Sequence, residues 1–268
     1  MDDLLETAAA AARAGGAILR SMRDRFGPVR TKSSSADLVT DADVAAGVAA
    51  CTAIAERFEG ARFLVEEPEV YERAGVATGA IGFGDVWVID PLDGTTSFVH
   101  GYPCYSTSVA LVRGDQPVCG AVYNAAADEL FTAQAGHGAW LDGSRLAVSV
   151  VERLEESLLI TGFPYDRGRP FDVQMRVFGR IARVAHGIRR DGSAAVDCCH
   201  VAAGRADGFW EFELKPWDLA AGALVLREAG AVVTGTDGSP WTASTPGIVA
   251  AGPHLHLALL EAVLEAQR

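Results

Sequence analysis

Asp90 and Asp93 stand three residues apart in the string Asp90-Pro91-Leu92-Asp93-Gly94-Thr95-Thr96, directly after the apolar run Val86-Trp87-Val88-Ile89. Two carboxylates placed where a buried strand ends can meet at one point in a crevice at the edge of a sheet. Carboxylate oxygens, a backbone carbonyl and water are the ligands that hard cations such as Mg²⁺ prefer, and Leu92 offers the carbonyl. Gly94 permits close backbone approach, while the amides and hydroxyls of Thr95 and Thr96 can receive phosphate oxygens. A cation site and a phosphate site would therefore adjoin. An isolated pair of aspartates at this spacing is most often a turn, so the weight rests on the whole string after a buried strand.

Two further acidic sites could join that one. Glu66 and Glu67 follow the short apolar run Arg62 to Val65, and alone they read equally well as a solvated surface pair. Asp218, in Trp217-Asp218-Leu219-Ala220-Ala221-Gly222, falls in the first turn of an expected helix after Pro216. There an aspartate is also favoured simply as a cap or by the helix dipole. His254 and His256 lack further zinc ligands at suitable spacing and read as packing or surface residues. Cys198 and Cys199, adjacent in an expected helix, point in different directions and read as small buried hydrophobes. Gly15 and Gly16 sit inside an expected helix, and no phosphate-binding glycine pattern follows a strand, which disfavours a nucleotide-dependent kinase or dehydrogenase.

The elements that must position these residues can be read from periodicity. Helical spacing runs from Leu4 to Met22, and the alanine-rich stretch Ala42 to Phe58 predicts a second helix, so two helices precede the first strand. Arg62 to Val65 and Val86 to Ile89 read as strands, the latter covered on both faces, with Asp90 leaving it into a loop. Strand-like runs between Ser106 and Val150 alternate with turns such as Arg113-Gly114-Asp115, the pattern of an antiparallel meander. From Leu158 onward, short strands (LLITG, GFWEF, AVVT, GIVAA) alternate with helices near 171 to 185, 193 to 203, 217 to 229 and 254 to 266. We expect an N-terminal half over 1–150 carrying the cation-binding loop and a C-terminal half over 151–268, joined by an extensive interface with the site in the cleft between them.

With 268 residues, 49% of them hydrophobic, the chain can bury a substantial core. Its formal charge of -12 opposes nucleic acid and anionic membrane surfaces, and the densest basic pair, Arg189-Arg190, is short. A cleft lined by carboxylates would also repel a phosphate unless bound cations reversed the local sign. Five cysteines without CxxC or zinc spacing give no disulfide framework and suit a reducing cytoplasm. The start Met1-Asp2-Asp3 lacks a signal peptide's features, and no segment is apolar for long enough to span a bilayer.

In that order, the strings VEE (65–67), WVIDPLDGTTSF (87–98) and KPWDLAAG (215–222) resemble the inositol monophosphatase family of metal-dependent phosphatases. The likeness extends from Lys32, in the KSSSADLVTDAD segment, through Asp191-Gly192-Ser193-Ala194-Ala195 and Gly208-Phe209-Trp210-Glu211 to Asp218. The chain departs from the family at Val65, where glycine is usual, and in a longer stretch from Pro68 to Gly84. The resemblance implies a layered α/β fold, an α-β-α-β-α sandwich of the inositol monophosphatase and fructose-1,6-bisphosphatase type. It implies that Glu66, Asp90, Asp93 and Asp218, with the Leu92 carbonyl, hold two or three Mg²⁺ ions, and that Glu66 and Thr95, beside Asp90, serve catalysis by orienting the attacking water. Substrate contacts would come from Asp93, Gly94, Thr95, Gly192, Ser193, Ala194, Glu211 and Asp218, with Lys32 and Glu67 as auxiliaries. Lys215, at a position that varies among relatives, would tune which ester fits.

The expected reaction is hydrolysis of myo-inositol 1-phosphate or another small phosphorylated polyol, with Li⁺ inhibition and a homodimer as the family suggests. Histidinol phosphate, fructose 1,6-bisphosphate or a phosphoadenosine nucleotide would use the same core. A non-catalytic protein that binds metal, phosphate or a partner is the rival of a different class.

Overall fold

The computed structural model describes residues 3–32 and 37–267, so the serines of the KSSSADLVTDAD segment lie outside the described residues. The chain opens with α1 (Asp3–Met22), the two-residue strands β1 (Arg30–Thr31) and β2 (Leu38–Val39), and α2 (Asp41–Ala55). There follow β3 (Arg62–Val65), α3 (Glu69–Ala74), β4 (Ala77–Thr78), β5 (Asp85–Asp93) and the short α4 (Thr95–His100). The meander comprises β6 (Ser106–Arg113), β7 (Gln116–Asn124), β8 (Glu129–Gln134), β9 (Gly138–Leu141) and β10 (Ser144–Arg145). The remainder is β11 (Leu158–Thr161), α5 (Arg169–Ile181), β12 (Gly187–Arg189), α6 (Ala194–Ala202), β13 (Gly208–Phe212), α7 (Pro216–Glu228), β14 (Val232–Thr234), β15 (Gly247–Ala251) and α8 (His256–Gln267).

Two sheets form. One has eight strands in the order β10-β9-β8-β7-β6-β5-β3-β4, and the other five in the order β12-β11-β13-β15-β14. Apolar side chains on both faces of each sheet demand a helical cover on both sides. α1 and α2 bury one face of the larger sheet through residues such as Leu19, Ile54, Trp87 and Ile89. α6 and α7 lie between the sheets, joining Val88 and Phe131 of the larger to Phe209 and Ile248 of the smaller in one core. α5 and α8 cover the outer face of the smaller sheet around Leu159, Trp210 and Leu259. The result is the five-layer α-β-α-β-α sandwich expected from the resemblance.

Local sequence explains the closest packing. Gly15 and Gly16 weaken α1 as a helix, yet a Cβ on Gly16 would stand 2.0 Å from the Tyr123 ring, and one on Gly15 2.7 Å from the Thr107 methyl. The two glycines let the helix lie directly on β6 and β7. The five cysteines are buried free thiols, Cys198 and Cys199 among them. His254 is exposed, and His256 packs with its Nε2 3.1 Å from the Thr234 hydroxyl.

Four details differ from the periodicity reading. The ribbon of β1 and β2 intervenes between the first two helices, because two-residue strands carry no pattern. α2 stops at Ala55, three residues short of Phe58. Asp90 does not leave its strand: β5 continues to Asp93 against β6, with a register shift between Asp90 and Asp93 that re-aims the side chains. The three-residue edge strand β12 was invisible as a separate run. The long 68–84 stretch supplies α3 and the edge strand β4. Among the described residues no helix is long and apolar enough to cross a membrane.

Leu226 is fully buried in the layer shared by both sheets. Leu226→Ala should therefore destabilise the whole chain by ~2–5 kcal/mol in a guanidinium unfolding curve, and a loss under ~1 kcal/mol would contradict the shared core.

Candidate active site

At the irregular end of β5, Asp90 and Asp93 are both buried and Asp93 borders the cleft, while the Leu92 side chain packs in the core shared with α1 and α2. The Leu92 amide donates to Asp90 Oδ1 at 3.0 Å, closing a tight turn around the buried carboxyl. Asp93 Oδ2 accepts from Ser193 Oγ at 2.6 Å and from the Ala195 amide at 2.8 Å, so it docks on the N-terminus of α6, where the helix dipole favours an anion. Gly94 makes this docking possible. Its φ of 92° is left-handed, and a Cβ there would meet the Cys104 carbonyl at 2.8 Å and the Gly192 carbonyl at 3.1 Å.

Thr95 opens α4, and its hydroxyl oxygen lies 3.1 Å from both Asp43 Oδ1 and the Leu92 carbonyl. Asp43 is fixed in turn, since its Oδ2 accepts from the Thr40 amide at 2.8 Å and the Thr40 hydroxyl at 2.7 Å in the capping box of α2. On the opposite side, the Lys32 ammonium donates to Glu66 Oε1 at 2.7 Å and also contacts the Glu67 carboxylate. Asp218 enters from the first turn of α7, where its Oδ2 accepts from the Lys215 amide at 2.7 Å. Asp218 thus does cap its helix while also facing the cleft.

The charges act on one another. Burial, then the neighbouring Glu66, Asp93 and Asp218, raise the pKa of Asp90 well above the carboxylate range. Burial, Glu66 and Asp93 do the same to Asp218. Asp93 is pushed up to about 6 by burial, against the opposing bonds from Ser193 and Ala195. Asp43 rises to about 6 and Glu67 to about 7, burial again the largest cause. Burial draws the Lys32 ammonium's pKa down, but the charges and hydrogen bonds of Glu66 and Glu67 outweigh it and hold it above its ordinary value. Four acids separated by up to 152 positions therefore share one low-dielectric space. Among the described residues, however, no three acidic, histidine or cysteine side chains already close into a metal ligand set. The donors are nevertheless hard oxygens whose ionised forms a cation would stabilise, which fits a hard divalent ion.

A cleft of about 270 Å³ opens above these groups, lined by Lys32, Glu66, Asp93, Gly192, Ala194, Glu211 and Asp218 among others. Glu211 is buried, with its carboxyl pushed up to about 8 by burial, and it lies against Gly162, where a Cβ would fall 2.1 Å from Glu211 Oε1. Ser193 does not line the cleft, because it is wholly buried with its hydroxyl committed to Asp93. Asp90, Leu92, Gly94 and Thr95 are buried and do not themselves line it. Sequence reading missed Asp43, Tyr165 and Arg190. Asp43 could have been found as a cap from the Thr40-x-x-Asp43 pattern, but its contact with Thr95 exists only in the fold.

The chain matches the Inositol monophosphatase family over residues 1–268. It is 39% identical to an inositol-1-monophosphatase of Synechocystis sp., with 97% of this chain and 88% of that protein covered. It is 36% identical to a fructose-1,6-bisphosphatase/inositol-1-monophosphatase of Aquifex aeolicus, covering 96% and 94%. The crystal structure of the extragenic suppressor protein suhB from Bartonella henselae superposes with a TM-score of 0.86 at 35% identity, covering 98% of each chain. With these likenesses, the layered fold and its acidic cleft define a phosphoric monoester hydrolase. More particularly, the chain belongs to the inositol monophosphatase family.

The raised acids set a pH dependence. Asp93 titrates at about 6 and Glu211 at about 8 in the folded chain, against 3.8 and 4.5 ordinarily, so between those limits the folded state holds protons that the unfolded state has released. Their stabilising effect is complete below the ordinary values and is lost as pH rises through 6 and then 8. Chelator-treated protein should lose thermal stability from pH 5 to pH 8, and Glu211→Gln should flatten the upper part of the decline. A midpoint that climbed over this range would refute the assignment.

Proposed function

We propose that the cleft hydrolyses the phosphomonoester of a small polyol, with myo-inositol 1-phosphate as the leading substrate and Mg²⁺ as cofactor. The observation that carries this reading is the convergence of Glu66, Asp90, Asp93 and Asp218, whose burial and mutual repulsion a divalent cation would relieve. Two or three Mg²⁺ ions held by these four residues and the Leu92 carbonyl would lower the pKa of water, neutralise phosphate oxygens and stabilise the departing alkoxide.

The chain's own residues do the rest. Asp43 takes the Thr95 hydroxyl proton in a hydrogen bond, which leaves the Thr95 oxygen free to accept one from water. Glu66, across the cleft, accepts the other, so the pair aims the water at phosphorus. Lys32 offsets part of the charge of Glu66 and Glu67. Ser193 and the α6 N-terminus keep Asp93 in place, while Glu211 and the backbone at Gly192 and Ala194 meet substrate hydroxyls. At neutral pH the Glu211 carboxyl, titrating at about 8, is mostly protonated and can donate to one. No nucleophilic side chain is needed. Inhibition by Li⁺, a homodimeric assembly and a cytoplasmic setting belong to the same reading.

The name of the Aquifex aeolicus relative supports a second ester, fructose 1,6-bisphosphate, on the same carboxylates. Histidinol phosphate and phosphoadenosine nucleotides remain within reach of this chemistry. Phosphate release should be measured from all four esters with and without Mg²⁺. Release from inositol 1-phosphate is expected only with Mg²⁺ and should fall at least ~100-fold in Asp93→Asn. Equal background release by both proteins would favour a non-catalytic binding role. Asp43→Asn, which leaves the acidic cluster intact, should lower kcat about 10- to 100-fold with a smaller change in KM. An unchanged kcat would remove Asp43 from the water-orienting role.

A further inference from the structure

We infer that Gln174, in the second turn of α5 and away from the cleft lining, is a positioning residue for substrate binding. From behind the smaller sheet it holds Gly162 against Glu211, and so fixes the carboxyl that meets a substrate hydroxyl. The inference rests on the Glu211 contact proposed above and adds a residue that touches no substrate.

Gln174 shares the buried face of α5 with Val177 and Ile181, which pack in the outer apolar core. Its amide nitrogen donates to the Thr161 hydroxyl at 2.5 Å and to the Gly162 carbonyl at 2.6 Å. The Thr161 hydroxyl donates in turn to the Trp210 carbonyl at 2.6 Å. One side chain thus ties together the ends of two neighbouring strands, β11 and β13.

These bonds fall where the backbone ladder stops. Thr161 and Trp210 are the last pair made by β11 and β13, and Gly162 and Glu211 come next along the chain. Side chains alternate across a strand, so Trp210 packs in the outer core with α5 while Glu211 lines the cleft. Backbone pairing with Ile248 of β15 secures Glu211 on its far side, but it does nothing for Gly162. A Cβ on Gly162 would stand 2.1 Å from Glu211 Oε1 and 2.2 Å from both Cδ and Oε2. Such even distances place the carboxyl face-on against the bare glycine. Among the described residues burial, Arg190 and Asp93 act on that carboxyl and no hydrogen bond does, so its place depends on Gly162 staying where Gln174 holds it.

Gln174 is more than a filler of space. Among the described residues its Oε1 is buried without a hydrogen-bond partner, and an orphaned buried oxygen costs stability. A methionine would fill similar space without that cost. What the amide adds is its two donated bonds, and both act on the strand end that backs Glu211.

The test compares Gln174→Met, Glu211→Ala and the double variant with the wild-type chain, in Mg²⁺ and below the melting midpoint of each. Two esters are used: inositol 1-phosphate, and phenyl phosphate, which carries a phosphate for the acidic cluster but no hydroxyl for Glu211. Gln174→Met should raise KM for inositol 1-phosphate about five- to tenfold, the worth of one hydrogen bond, with kcat changed less than about twofold. For phenyl phosphate kcat/KM should stay within about twofold of the wild-type value. In the double variant KM for inositol 1-phosphate should equal that of Glu211→Ala, because a residue that acts through Glu211 has no effect once the carboxyl is gone. Gln174→Glu keeps the shape and, as a neutral buried acid, offers one proton to two acceptors; it should shift KM the same way by less, and it carries the comparison if the methionine variant does not fold. Equal losses on both esters, an unchanged KM, or effects that multiply in the double variant would overturn the positioning role alone. A Glu211→Ala KM equal to the wild-type value would overturn the Glu211 contact, and a wild-type chain inactive on both esters the phosphatase reading, and the inference falls with either.

Discussion

The structure is organised around an electrostatic difficulty: several carboxylates share one buried space. Moving an ionised carboxylate out of water is costly, and each like charge nearby adds to the penalty. Asp90, Asp93 and Asp218 all bear the mark of it in raised pKa values. The protein answers with single, well-placed donors: the Leu92 amide on Asp90, Ser193 and the Ala195 amide on Asp93, and the Lys215 amide on Asp218. These bonds fix the carboxylates without neutralising them. On the proposed reading, the remaining compensation would come from a divalent cation.

That solution dictates the architecture. Asp90 and Asp93 are carried by the larger sheet, while Ser193 and Asp218 belong to the first turns of α6 and α7 in the middle layer. Both helix N-termini therefore present their positive dipole ends and their amides to carboxylates, the Ala195 amide to Asp93 and the Lys215 amide to Asp218. Because α6 and α7 are packed between two sheets, with Leu219, Val225 and Leu226 buried, the termini cannot drift apart. The layer order is thus more than a way to bury apolar surface: it brings the carboxylates from one sheet against the helix ends that tolerate them.

Much of this was legible in the sequence because the decisive strings are local. The run Trp87 to Phe98 shows a buried strand, two aspartates and a glycine that permits close backbone approach within a dozen residues, and the tripeptide Val65-Glu66-Glu67 marks a strand end. What could not be read is what depends on register or on contacts far apart in the chain. The shift between Asp90 and Asp93 is set by pairing with β6, so Asp90 looked like a loop residue although it remains in the strand. Ser193 looked like a substrate contact, and only the 100-residue contact with Asp93 shows its hydroxyl to be committed. Asp43 was missed, although the Thr40-x-x-Asp43 pattern could have shown it as a helix cap, and its second carboxylate oxygen reaches Thr95 across 52 residues. β12 and the ribbon of β1 and β2 are too short for any period to emerge.

An acidic protein that acts on an acidic substrate needs local reversals of sign, and the cleft achieves them by different means. Lys32 sits against Glu66 and Glu67, where the two acids hold its proton more firmly than burial can loosen it. Glu211 loses its charge instead, because burial beside Gly162 makes the neutral acid the cheaper form near pH 7. The two devices are complementary. A paired ammonium trims the negative charge beside the acidic cluster, whereas a neutral carboxyl removes a repulsion from the place where the rest of the substrate must lie. With those terms subtracted, Glu66, Asp93 and Asp218 remain the cleft-lining acids whose charges act on one another, apart from the exposed Glu213, and it is among them that a cation would gain most. On the proposed reading, the uneven charge along the cleft would therefore favour an anionic ester lying with its phosphoryl group toward the carboxylates and its body toward Glu211.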